Sequence, residues 1–256
     1  MPESFQPIHH SSPDSFLNKI ALLARLCLDM QFSSLYRQLF NMLPKVKGKL
    51  LDVGCGNSPF KHLLNTNQTS YIGIDYDGAK DFNYKRDDVV YFDGTTFPFE
   101  NESFDFVLCT EVLEHISEPQ KFINEIYRVL NNNGAAIFSV PWSARFHYIP
   151  YDYFRYTPTT LHTFFEKFTE VKIIPRGTDI TAIASKIIVV FARNINILLS
   201  PNSNVIKYIL TFVPVLFLLL VLFPILILAI LIGQFSLLFK FGSFDDCLGY
   251  TIVLKK

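Results

Sequence analysis

Five clusters in the first 160 positions of this 256-residue chain hold the residues able to do chemistry. The first is Leu50-Leu51-Asp52-Val53-Gly54-Cys55-Gly56-Asn57-Ser58-Pro59-Phe60. An apolar run ends in a carboxylate, two glycines stand one residue apart, and a polar pair and a proline follow. That order predicts a buried strand, a tight loop and a helix start, with bare backbone able to come close to a nucleoside ligand. A dinucleotide loop carries a third glycine three residues after the second, where helix backbone meets a pyrophosphate. Here that position is Pro59, which has no N–H and adds a ring. The loop therefore suits a nucleoside ligand without phosphates better than NAD or FAD.

The second cluster is Tyr71-Ile72-Gly73-Ile74-Asp75, whose carboxylate follows Gly56 by 19 residues and is placed to accept from both hydroxyls of a ribose. The third, Phe92-Asp93-Gly94-Thr95-Thr96-Phe97-Pro98-Phe99, offers Asp93 as an acceptor for an adenine amino group; taken alone it reads as a turn. The fourth is Phe104-Asp105-Phe106-Val107 followed by Glu111-Val112-Leu113-Glu114-His115-Ile116, in which His115 is a candidate base among carboxylates on a polar face. The fifth, Arg145-Phe146-His147-Tyr148-Ile149-Pro150-Tyr151-Asp152-Tyr153-Phe154-Arg155-Tyr156, packs six aromatics with His147 and Asp152, two further candidate bases. Aromatic walls hold apolar acceptors and attract cations. An Asp152–Arg155 pair that only anchors the loop accounts for those two residues equally well.

These clusters need elements to place them. Strands are expected at 49–53, 71–75, 88–92, 104–109 and 135–140, with helices at 59–65, 111–116 and 119–130, the last closed by Asn131-Asn132-Asn133-Gly134. Strands alternating with helices imply parallel pairing and right-handed crossovers. Runs such as Ala135-Ala136-Ile137-Phe138 are apolar on both faces, as strands covered on both sides must be. A helix at 158–167 and strands at 169–174 and 248–254 follow. Before the core, 1–12 reads as disordered, Ser12 as a cap before Pro13, and 16–43 as one or two amphipathic helices broken near Ser33-Ser34. No secretory signal is expected at the N-terminus. Zero formal net charge gives no sign of nucleic acid as a partner. The four cysteines (Cys27, Cys55, Cys109 and Cys247) share no metal-type spacing; free buried thiols are expected, and no metal site.

The succession Leu-Asp-Val-Gly-Cys-Gly, Gly-Ile-Asp, Asp-Gly-x-x-Phe-Pro-Phe, Phe-Asp-x-Val and Glu-Val-Leu-Glu-His-Ile over 49–142 resembles the class I S-adenosylmethionine-dependent methyltransferases, most closely the broad small-molecule group with a type 11-like domain. Ser58 stands where many members have another glycine. The resemblance implies an α/β, Rossmann-like, doubly wound seven-stranded sheet with the last strand pair reversed. It implies S-adenosyl-L-methionine as cofactor, with Asp52, Gly54 and Gly56 around the methionine moiety, Asp75 at the ribose, Asp93 at the adenine and Glu111 beside the cofactor at the end of strand four. The segment Tyr151-Asp152-Tyr153-Phe154-Arg155-Tyr156-Thr157 is similar to a module found in methyltransferases linked with cell-surface glycan or lipid pathways.

Hydrophobic residues make up 50% of the chain and charged residues 18%, and the excess lies after residue 180. From Tyr208 to Phe239 there is no charged side chain. One bilayer crossing takes about 20 apolar residues and a full hairpin about 40. Three arrangements fit: a hairpin bent near Pro214 or Pro224 that dips into one leaflet, a pair of crossings by 180–199 and 208–232 around Ser200–Asn204, or an apolar lid or dimer face. The expected organisation is an N-terminal helical segment (1–48), a cofactor-binding core (49–177), a hydrophobic helical insertion (178–246) and a final core strand (247–256). The expected activity is methylation of a small-molecule, lipid or lipid-linked acceptor. Membrane contact through 205–241 would place the chain at the cytoplasmic face of a membrane; free in the cytoplasm is the alternative. The rival from another class is a binding module or membrane scaffold that keeps the fold without catalysis.

Overall fold

The computed structural model describes residues 12–78, 88–199 and 205–256. The disorder expected for 1–12 (Ser12 apart) and the turn at Ser200–Asn204 lie outside the described residues. The strands are β1 (Gly48–Val53), β2 (Thr69–Tyr76), β3 (Val89–Phe92), β4 (Phe104–Thr110), β5 (Leu130–Pro141), β6 (Glu170–Arg176) and β7 (Gly249–Lys255). The helices are α1 (Phe16–Leu28), α2 (Met30–Met42), α3 (Pro119–Val129), α4 (Pro158–Phe164), α5 (Asp179–Leu199) and α6 (Val205–Phe239).

The strands form one sheet in the order β3-β2-β1-β4-β5-β7-β6. β1 to β5 pair in parallel, while β7 runs antiparallel to both β5 and β6. This is the expected doubly wound sheet with its antiparallel end. Leu51, Val53, Val107, Ala136 and Phe138 pack against Ile123, Ile126 and Val129 of α3, against Leu161 of α4 and against Phe165 just after it. On the other face Leu50, Leu108 and Ile137 meet Phe32, Leu35 and Leu39 of α2 and Phe60 and Leu63 of the loop after β1. Alternate residues of one strand thus serve opposite layers, which is why these strands read as continuous apolar runs. Each fully buried Leu, Ile or Phe contributes about 1.5–3 kcal/mol.

Several local expectations are corrected. The cap of α1 is Ser15, which accepts from the Asn18 N–H, and Ser12 precedes a turn. The break between α1 and α2 falls at Asp29, whose carboxylate accepts from the Phe32 N–H and from Arg25; Ser33 and Ser34 lie buried inside α2. The expected helices at 59–65 and 111–116 are only 3-10 turns, Lys61–Leu63 and Leu113–His115. In the first case an Asn65 turn cuts the segment short. In the second, Glu111 has φ 53° and Val112 lies off the helical region, so no α-turn can start there. α3 ends at Val129, and the Asn131–Gly134 run joins β5, where the pairing to β4 shifts register. α4 is three residues shorter than expected, ending at Phe164. None of the four cysteines forms a disulfide; Cys55, Cys109 and Cys247 are buried and Cys27 is exposed.

The insertion between β6 and β7 is a pair of antiparallel helices. Thr178 meets Ser236, Ala184 meets Gly233, and Phe191 meets Phe223. α6 does not bend into a hairpin of its own; it runs as one helix of 35 residues, about 52 Å long, through both Pro214 and Pro224. Each proline removes one backbone bond, and the apolar residues around it form a helix that tolerates the loss. The base of the pair is anchored. A Cβ at Gly233 would lie 2.8 Å from Ala184 and 2.9 Å from Met30, so only glycine lets these helices close on α2. Gln234 donates to the Leu26 and Cys27 carbonyls and accepts from Arg37.

Candidate active site

In a parallel sheet every strand delivers its last residue to one edge. Here that edge collects Gly54 after β1, Asp75 near the end of β2, Asp93 after β3, Glu111 after β4 and Trp142 after β5. Gly54 has φ +68°, Gly56 φ +46° and Ser58 φ +52°, a left-handed succession that glycine adopts without strain. A Cβ at Gly54 would lie 2.3 Å from Val112 Cγ2, so a side chain there would collide with the segment after β4.

Two carboxylates shape this loop. Asp75 Oδ2 accepts the Gly56 N–H at 2.8 Å and Oδ1 accepts the Tyr76 N–H at 2.8 Å. Burial holds the Asp75 carboxyl above its ordinary range, against the pull of those two N–H donors. Asp52, 3% exposed, accepts from the Tyr71 hydroxyl at 2.7 Å, and that hydroxyl also meets Ser58 Oγ at 2.6 Å. Burial, reinforced by Asp52, pushes the Tyr71 phenol far up, so it stays a neutral donor. Asp52 is thus placed beneath the loop. Asp93 is exposed and accepts from the Thr95 N–H and hydroxyl, which hold its carboxyl below the usual range.

Glu111 sits on a buried partner that sequence reading misses. Its Oε1 accepts from Ser139 Oγ at 2.8 Å and from Arg176 Nη2 at 2.8 Å. Arg176, 1% exposed, ends β6 and also donates to the carbonyls of Val140 and Gln31. Nothing in its own neighbourhood, Ile174-Pro175-Arg176-Gly177, signals a partner 65 residues away; only the pairing of β6 and β7 beside β5 brings it there.

The aromatic loop closes over the segment after β4. The Glu114 carbonyl accepts the Tyr153 N–H at 2.9 Å, and the Tyr156 hydroxyl donates to the Leu113 carbonyl at 3.0 Å. His115 Nδ1 bonds the Tyr151 carbonyl at 2.7 Å, and its ring meets that of His147 edge to face at 4.8 Å. Burial lowers the His115 pKa, which favours the neutral ring. Asp152 grips Arg155 with both oxygens, at 2.6 and 2.9 Å, and accepts the His147 N–H at 2.9 Å. Burial would push its carboxyl up, yet Arg155 and the His147 N–H hold it below the usual range. That makes Asp152 an anchor for the loop and a weak base. The structure therefore brings His115 and His147 together and gives Asp152 to Arg155.

Residues 51–138 match the family model described as a methyltransferase domain. An uncharacterized protein of Methanocaldococcus jannaschii is 34% identical over 128 residues, 50% of this chain and 56% of the relative. A probable S-adenosylmethionine-dependent methyltransferase of Mycolicibacterium smegmatis is 30% identical over 96 residues, 36% of this chain and 37% of the relative. The chain thus spans about half, or less, of the length of these relatives. A solved S-adenosylmethionine-dependent methyltransferase from Archaeoglobus fulgidus shares the fold at 16% identity, with a TM-score of 0.52 over 92% of this chain and 99% of that one. The glycine loop fits a ligand that needs close backbone approach and no pyrophosphate, as Pro59 requires. The family model thus marks residues 51–138 as a methyltransferase domain, on a sheet shared with the Archaeoglobus fulgidus protein, and S-adenosylmethionine is the cofactor that such a domain takes.

Proposed function

We propose that this chain transfers a methyl group from S-adenosylmethionine to a small-molecule, lipid or lipid-linked acceptor at the cytoplasmic face of a membrane. One observation carries the membrane half of this reading. The α5–α6 pair leaves the sheet after Arg176 and rejoins it at Gly249, and both points lie on the edge that collects Gly54, Asp75 and Glu111. An apolar hairpin rooted at that edge would bring the site to a lipid surface. The exposed faces of α6 support the same reading: Phe217 is 70% exposed, Leu220 66% and Leu231 64%. The stretch Phe212–Phe239 has mean hydropathy 3.5 and is long enough to cross a bilayer.

In this reading Gly54 and Gly56 admit the methionine moiety, Asp52 supports the loop, Asp75 accepts from the ribose, Asp93 meets the adenine and Glu111 faces the cofactor. The bound cofactor supplies an activated methyl on a sulfonium, so catalysis rests largely on alignment. Proton removal from a hydroxyl acceptor falls to His115 and His147, with Asp152 holding the His147 backbone.

The test incubates membrane extracts and the full-length protein with isotopically methyl-labelled S-adenosylmethionine. Mass-shifted product in the lipid or small-molecule fraction is expected. Protein that binds the cofactor by calorimetry but labels nothing would sink the transferase reading and favour a non-catalytic module.

A further inference from the structure

Glu114 is the one carboxylate, among the described residues, that is fully buried with neither oxygen in a hydrogen bond. A buried charge without a partner is costly, so this carboxyl either keeps a proton or shares its site with a cation. What surrounds it decides between the two. His115 Nε2 lies 3.7 Å from Glu114 Oε1, and ligand atoms of Glu114, His115 and His147 all lie within 4.8 Å of one another.

The hydrogen bonds of both imidazoles leave one ring nitrogen able to ligate. A carbonyl oxygen can only accept, so Nδ1 of His115 carries the proton donated to Tyr151 and Nδ1 of His147 the one donated to Arg145, at 2.7 and 3.1 Å. A ring that carries its proton on Nδ1 alone keeps its Nε2 lone pair. A backbone carbonyl on the far nitrogen is the usual outer partner of a metal-bound histidine. Ligands about 2.0–2.1 Å from a tetrahedral zinc ion are ~3.4 Å apart, close to the observed 3.7 Å pair.

We propose that Glu114, His115 and His147 bind a divalent transition ion, zinc by the donor set, with its fourth position open. One carboxylate and two imidazoles suit zinc or its neighbours better than magnesium, which prefers oxygen. The site follows β4 directly after Glu111, so the open position would take an oxygen of the acceptor. Its role in transfer rests on the methyltransferase reading; the ion site itself does not. With the ion bound, the two imidazoles hold metal in place of a proton. The acceptor hydroxyl on the ion loses its proton to water. The oxygen then forms a bond to the methyl carbon as the carbon–sulfur bond breaks, leaving a neutral thioether. The favoured acceptor is therefore a hydroxyl compound, and one with two neighbouring oxygens would chelate.

The experiment uses full-length, tag-free protein in detergent, competed against a chromophoric chelator for Zn2+, with cofactor affinity measured in parallel by calorimetry. One equivalent bound is expected, weakened at least tenfold in both His147→Ala and Glu114→Gln, with cofactor affinity within twofold of the parent. His147 sits on the loop surface, so its truncation spares the fold. Folded protein that binds S-adenosylmethionine but not stoichiometric Zn2+ or Co2+ would overturn the proposal. So would unchanged Zn2+ affinity in the two variants, which would put the ion elsewhere. Protein that binds Zn2+ but not the cofactor would instead sink the methyltransferase reading.

Discussion

The sheet and the α5–α6 pair are both built from apolar residues, and they use them in opposite ways. Val107, Leu108, Phe138 and Val140 of β4 and β5 are at most 1% exposed, whereas Phe217, Leu220, Leu231 and Leu238 of α6 are more than 60% exposed. The strands are covered on one face by α2 and on the other by α3 and α4. Among the described residues, the core covers the helical pair at its base, where Thr178, Ser236 and Gly233 seat it. Composition alone makes the two regions alike; which solvent each meets is set by the neighbours that topology supplies. Exposed apolar area of this kind and extent marks an interaction surface, and the charge-free stretch 208–239 is what the proposed lipid contact would use.

The largest effect expected comes from the helical pair. Introducing Phe217→Glu, Leu220→Glu and Leu231→Glu together puts three charges where a membrane-inserted helix needs none. Each costs about 2.5–3.5 kcal/mol at a helix centre, so co-flotation with lipid vesicles should be lost. These positions are exposed, so the sheet should melt at the parent's temperature. Flotation equal to the parent's would break the comparison, making α6 a lid or a dimer face.

Next is the ion pair between buried Arg176 and half-buried Glu111. Arg176→Met leaves Glu111 without its guanidinium and should cost about 1.5–3 kcal/mol in denaturant unfolding. A loss under 1 kcal/mol would show that Ser139 alone satisfies Glu111.

Smaller again is Gly54→Ala, which forces a side chain to φ +68° and into Val112. About 1–3 kcal/mol of strain is expected, read as a cofactor affinity lowered roughly tenfold or more with little change in vesicle binding. Equal loss of both would mean that core and hairpin fold as one cooperative unit.

The smallest effect lies at the end of α3. Arg128 donates to both oxygens of Glu125 and to the carbonyls of Phe97 and Phe99, and it holds the Glu125 carboxyl below the ordinary range. A carboxyl depressed in the folded state gives stability that is full above the unfolded pKa and is lost as pH falls through the folded one. Glu125→Gln should therefore lower stability by about 1 kcal/mol at pH 7 and flatten the acid side of the stability profile. A variant with the parent's acid slope would show that the pair adds nothing.

Much of the core could be read from the chain because its signals are local. The strand at Leu50–Val53, the glycines at 54 and 56, and Asp75 at the end of the next strand each announce themselves within a few residues. Parallel pairing followed from apolar runs with no polar face. Local signals misled where the backbone broke its own pattern. Leu113 to Ile116 has helical spacing, yet the left-handed Glu111 and the displaced Val112 allow only a single 3-10 turn. Likewise, the prolines of α6 suggested a hairpin turn, yet the helix is continuous through both.

The sequence by itself determined the sheet's strands, the cofactor loop and the presence of an apolar insertion, because propensity, periodicity and glycine stereochemistry act over a few bonds. Only the tertiary structure decided that Arg176 lies under Glu111, that Asp152 serves Arg155, that His147 reaches His115 and Glu114, and that the hairpin springs from the cofactor edge. Those contacts join residues dozens of positions apart, and no short-range signal carries the sheet order that brings them together.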